Sequence, residues 1–106
     1  MPDIIQVVTT TARREEAERI ARELVEAKLA ACCQTIGPIV STYRWQGEIE
    51  TSEEWQCWIK TRGSLFGQVE AAIRRIHPYE VPEILAIPVV AGSAAYLAWL
   101  ETETNS

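Results

Sequence analysis

The spacing of apolar and polar residues along the 106 positions changes period several times, and each change marks an element. Ile4-Ile5-Gln6-Val7-Val8-Thr9 is a β-branched run and predicts a buried strand. From about Arg13 to Ala30 the period becomes helical. Ala17, Ile20, Ala21, Leu24 and Ala27 form one stripe, and Glu15, Arg19 and Glu23 sit four apart on the polar side. Thr9-Thr10-Thr11 offer N-cap hydroxyls to this helix. Ala31 to Ile36 then reads as a strand, Gly37-Pro38 predicts a bulge or bend, and the strand resumes from Ile39 to Trp45. A turn near Gln46-Gly47-Glu48 leads into a partner strand from about Glu53 to Thr61. There Trp55, Cys57 and Ile59 share one face while Gln56, Trp58 and Lys60 share the other.

Gly63-Ser64 opens a second helix with Leu65, Val69, Ala72, Ile73 and Ile76 on its inner stripe. Pro78 disfavours the α conformation at His77, so the helix should end there. Glu83 to Val90 predicts a last strand whose Pro88 requires an edge or a bulge. Gly92-Ser93 should cap a short helix carrying Tyr96, Trp99 and Leu100, and the polar end from Glu101 to Ser106 should fray. The order β-α-β-β-α-β plus a short C-terminal helix is the ferredoxin-like split βαβ plan. It predicts an α+β fold with an antiparallel sheet, two helices on one face and a long hairpin between the second and third strands. At this length one domain over residues 1–106 is expected.

Composition narrows the function classes. Hydrophobic residues make up 47% and charged residues 24%, as in globular chains. No apolar run reaches the roughly 20 residues that span a bilayer, and no signal peptide is visible, so a cytoplasmic protein without membrane contact is expected. The net charge of −5 and the dispersed Arg and Lys residues disfavour nucleic acid as a partner. Three cysteines, two of them adjacent, make neither a disulfide framework nor a zinc signature. Four Trp and three Tyr exceed what a core this small can bury. Aromatic residues concentrate at interface centres, which points to a homo-oligomer built around the hairpin, with Trp45 and Trp55 in the contact.

The densest chemistry lies in Ile76-His77-Pro78-Tyr79-Glu80-Val81-Pro82-Glu83, which holds the only histidine and two prolines that stiffen the link. His77 with Glu80 or Glu83 could serve as an acid/base pair, or as nitrogen and oxygen donors to a metal. One histidine cannot build a tight transition-metal site within one chain, so metal binding should be weak unless subunits share ligands.

The chain resembles the CutA family, the divalent-cation tolerance proteins. The match is carried by Val7-Val8-Thr9-Thr10, Leu29-Ala30-Ala31-Cys32, Ser41-Thr42-Tyr43-Arg44-Trp45-Gln46-Gly47 and Lys60-Thr61-Arg62. It continues through His77-Pro78-Tyr79-Glu80-Val81-Pro82-Glu83 and Tyr96-Leu97-Ala98-Trp99. The resemblance implies a homotrimer whose strands meet edge to edge, like the PII signal proteins that bind small effectors between subunits, and a link to copper and other divalent cations without an established catalytic activity. It implies His77 as the metal-related residue, and Tyr43, Trp45, Lys60, Tyr79, Glu83 and Trp99 as lining of an inter-subunit cleft. Copper-binding bacterial members resemble this chain less at Thr9 and Ile76, where they carry a cysteine and a second histidine. The function so implied is cation tolerance with weakly bound copper or another divalent ion. The alternatives are a PII-like effector-binding module and an acid/base enzyme using His77 and Glu83.

Overall fold

A computed structural model describes residues 3–105. Its elements run β1 (Ile4–Thr11), α1 (Arg14–Glu26), β2 (Cys32–Trp45), β3 (Glu48–Arg62), a 3-10 turn (Gly63–Leu65), α2 (Phe66–Ile76), β4 (Leu85–Pro88) and α3 (Ala94–Thr102). The strands form one sheet in the order β2-β3-β1-β4, antiparallel at every junction, which is the ferredoxin-like arrangement. Among the described residues no helix is long and apolar enough to cross a membrane.

β1 is central, and this explains its nearly continuous burial. Its odd positions Ile5, Val7, Thr9 and Thr11 join Cys57 and Ile59 of β3 on the face covered by α1 and α2. Ala17, Ile20 and Leu24 of α1 and Leu65, Val69 and Ile73 close that core. β4 is an edge strand, as Pro88 requires, but it is shorter than the expected Glu83–Val90 and exposed along its length.

The hairpin of β2 and β3 closes on a two-residue turn. Gln46 and Gly47 both take positive φ (50° and 84°), and Trp45 pairs with Glu48. Such a turn matches the twist of the flanking strands, and glycine at its second position removes the steric cost there. The predicted bulge is present: between Ile36↔Gln56 and Ile39↔Glu54, two residues of β2 face one of β3. Gly37 lies against the indole of Trp55, where an added Cβ would stand 2.6 Å from a ring carbon. The Arg14 guanidinium stacks 5.7 Å above the same ring. Trp55 is therefore packed on both sides by residues of its own chain. Beyond the bulge the hairpin has no core behind it: Val40 is 74% and Ile49 68% exposed. The radius of gyration, 14.2 Å, exceeds the roughly 13 Å of a compact chain this long because this arm projects.

Three local expectations are corrected. α1 starts at Arg14 rather than using the threonines as caps. Thr9 to Thr11 stay in β1, Thr11 Oγ1 donates to the Arg13 carbonyl (2.8 Å), and the Arg13 N–H donates to Glu16 Oε1 (3.1 Å). α1 also ends at Glu26, short of the expected Ala30, where Lys28 turns the chain at φ 59°. The segment after α3 does not fray over its described part. Thr104 is buried, its hydroxyl donates to the Leu100 carbonyl and accepts from Arg62 Nε (2.8 Å), and the Asn105 N–H donates to the Lys28 carbonyl (2.9 Å). Ser106 lies outside the described residues.

Candidate functional site

Pro78 holds His77 in an extended conformation (φ −76°, ψ 132°), so α2 stops and the chain turns across the end of β1. The His77 N–H still donates to the Ile73 carbonyl (2.8 Å), which fixes the ring's starting point. The imidazole is buried and both nitrogens are engaged. Nδ1 accepts from the Tyr79 N–H at 3.1 Å, and Nε2 lies 2.7 Å from the Thr10 carbonyl. An acceptor at Nδ1 and a carbonyl opposite Nε2 select the neutral tautomer protonated on Nε2. In this arrangement His77 pins the corner to β1 and leaves no lone pair for a metal or a substrate.

The corner faces the hairpin across a groove of about 630 Å³. Its walls include Tyr43 and Trp45 from β2, Glu54 from β3, and Tyr79, Val81 and Glu83 from the corner. Register explains the convergence. Glu54 pairs with Ile39, Ser41 with Ser52 and Tyr43 with Glu50, all on the sheet face opposite the α1–α2 layer. The Tyr79 hydroxyl donates to Glu54 Oε2 (2.8 Å), linking the two walls. Burial, then the bond to Glu54, pushes the Tyr79 phenol above its ordinary range. Burial, then the charge of Glu54, raises the Glu83 carboxyl above its ordinary value. Three carboxylates, Glu54, Glu80 and Glu83, and three aromatic rings thus share one partly desolvated groove.

Of the seven residues singled out from sequence, Tyr43, Trp45, Tyr79 and Glu83 meet in the groove and His77 sits behind its wall. Lys60 and Trp99 do not join them within the chain. The Lys60 ammonium donates to Gln34 Oε1, and Trp99 stands on α3 beside Tyr96 (ring centroids 5.4 Å apart). Glu54 was missed. It is 7% exposed although it stands in a strand rich in acids, and its only sequence cue is its place directly before the aromatic alternation of β3.

A profile described as CutA1 divalent ion tolerance protein matches residues 5–103. The "Divalent-cation tolerance protein CutA" of Thermus thermophilus is 40% identical over 99 residues, 93% of this chain and 96% of its own. The "Protein CutA" of Homo sapiens is 40% identical over 107 residues, covering this chain fully but 60% of its own length, so the chain spans about three fifths of that relative. The crystal structure of CutA1 from Oryza sativa superposes with a TM-score of 0.95 at 35% identity, covering 99% of this chain and 96% of the other.

Proposed function

Since the chain belongs to the CutA1 divalent ion tolerance family, we propose that it is the one-domain subunit of a cytoplasmic homotrimer that binds copper or another divalent cation weakly in the Glu54–Glu83 groove. The observation that carries this reading is the convergence of three carboxylates, Glu54 nearly buried, Glu83 with a raised pKa and Glu80 beside them, on a groove that opens between corner and hairpin. Among the described residues no group of three His, Cys, Asp or Glu side chains could hold a metal ion, so one chain offers too few donors for tight coordination. His77 enters as a nitrogen ligand only by giving up the Tyr79 N–H at Nδ1 or, after a change of tautomer, the Thr10 carbonyl at Nε2. Releasing such a bond costs on the order of 1–3 kcal/mol, which keeps the affinity low. The apolar, unpartnered arm of the hairpin supports assembly, and a neighbouring subunit supplies the missing wall; Lys60 and Trp99 enter the cleft from there. Three thiols without a disulfide suit a reducing compartment. We assign no catalytic activity, because acid/base use of His77 needs a nitrogen that the corner already occupies.

Titration calorimetry with Cu²⁺ and Zn²⁺ tests the reading. Glu83→Gln should weaken binding, and His77→Ala should weaken it further if the imidazole swings in as a ligand. Identical isotherms for parent and Glu83→Gln overturn the groove as a metal site.

A PII-like effector module is the second reading, favoured by the aromatic walls Tyr43, Trp45 and Tyr79. A thermal-shift screen of nucleotides and small acids separates it from the first, because a ligand that prefers the folded state raises the melting temperature.

A further inference from the structure

The groove leaves the thiols unused, and two of them stand together elsewhere. Strand register pairs Cys33 with Ile59 and Thr35 with Cys57, so Cys33 and Cys57 are diagonal neighbours on the face under α1 and α2. Cys57 is fully buried, Cys33 is half-buried, and neither is in a disulfide. The neighbouring Cys57 and burial together push the Cys33 thiol far above its ordinary pKa. On the other side of Cys57, its register partner Thr9 is also fully buried, and the Thr9 hydroxyl has no hydrogen-bond partner among the described residues. A second groove, of about 570 Å³, runs between α1 and β2, with Glu18, Arg22, Val25 and Glu26 at its sides and Cys33 in its lining. The sulfur pair thus has a route to solvent past Cys33, through a rim where Glu18 and Glu26 pair with Arg14 and Arg22, and an uncommitted oxygen beside it.

We propose that Cys33 and Cys57 form a two-thiolate site for a soft monovalent d¹⁰ metal ion, such as cuprous or silver ion, reached through the α1–β2 groove. Magnitudes select this chemistry over its rivals. Diagonal neighbours in an antiparallel pair lie roughly 7–8 Å apart, beyond the usual Cα separation of a disulfide, so a direct S–S bond would need backbone movement. A sulfur–metal–sulfur unit with bonds of the order of 2.3 Å adds the missing span. Zinc takes four donors, and among the described residues no third and fourth ligand join the pair. Soft thiolates and a coordination number of two suit a monovalent d¹⁰ ion. Two S–H bonds break and two metal–sulfur bonds form. The ion keeps its oxidation state, and two protons leave through the groove. Because protons are released as the ion binds, apparent affinity should fall as pH falls.

The site is separate from the Glu54–Glu83 groove, and anaerobic competition distinguishes the two. Cuprous ion held by a coloured chelator, bicinchoninate, is titrated with the protein and its variants. The parent, Cys32→Ser, His77→Ala and Glu83→Gln should each withdraw one ion per chain, whereas Cys33→Ser and Cys57→Ser should not. X-ray absorption should show two sulfur neighbours. Cys33 is half-buried, so Cys33→Ser keeps the test decisive even if Cys57→Ser does not fold; far-UV circular dichroism checks this. A parent that withdraws no ion, a Cys33→Ser variant that binds as the parent does, or loss of binding in Cys32→Ser each overturns the proposal.

Discussion

The Tyr79 hydroxyl and the Glu54 carboxylate, 25 positions apart in sequence, meet at 2.8 Å and tie the proline-stiffened corner to the hairpin. Glu54 is 7% exposed, so this bond answers a carboxylate that water scarcely reaches. Tyr79→Phe should lower stability by about 1–3 kcal/mol, seen as a lower urea midpoint at unchanged m-value. In Glu54→Gln the same change should cost less, and a double-mutant cycle measures the coupling. Equal costs in both backgrounds would show that the bond contributes nothing.

Glu83 gives a pH signature. Burial and the neighbouring Glu54 charge raise its carboxyl pKa in the folded state, so the folded chain binds that proton more tightly than the unfolded chain does. The associated stability is present below the unfolded value of about 4.5 and is lost as pH rises through the folded value. Glu83→Gln should therefore melt higher than the parent at neutral pH, with the difference vanishing in acid. A constant difference across the range would exclude the charge as its cause.

Gly37 and Trp55 cannot both be large. A Cβ on Gly37 would lie 2.6 Å and 2.9 Å from two indole carbons, so Gly37→Ala should cost about 1–3 kcal/mol in thermal or urea unfolding. In a Trp55→Leu background, where the ring is absent, the same substitution should cost clearly less.

The exposed arm bears on assembly. Trp45 is 40% exposed, with Tyr43, Val40 and Ile49 also open, so Trp45→Glu or Ile49→Glu should lower the association state in sedimentation. Trp55→Ala should act differently from the expectation formed on composition. Its ring packs on Gly37 and under Arg14, so it should destabilise the subunit by about 2–4 kcal/mol rather than dissociate it selectively. A parent that sediments as a monomer would remove the interface.

What the sequence made legible follows the range of the forces involved. Pro78 ends α2 through a clash with its immediate neighbour, and Gly37-Pro38 breaks the ladder where it stands; both effects act within a residue or two. The alternation in β3 placed Cys57 and Ile59 in the core for the same local reason. Glu54 was illegible because its burial depends on a tyrosine supplied by a distant corner. The C-terminal segment misled for a similar reason. Its polar composition signals fraying, yet Thr104 and Asn105 find carbonyls and an arginine on elements far away in the chain. His77 was identified as a site residue by type and setting, but its two hydrogen bonds could be known only once β1 was placed beside it.

That single imidazole also makes the corner observable. With one histidine in the chain, a nitrogen-detected magnetic resonance spectrum carries one pair of ring signals, free of overlap. The two signals distinguish the Nε2-protonated tautomer from an imidazolium or a metal-bound ring. Whatever a bound ion or a neighbouring subunit does to this end of the sheet can be followed in solution at a single atom.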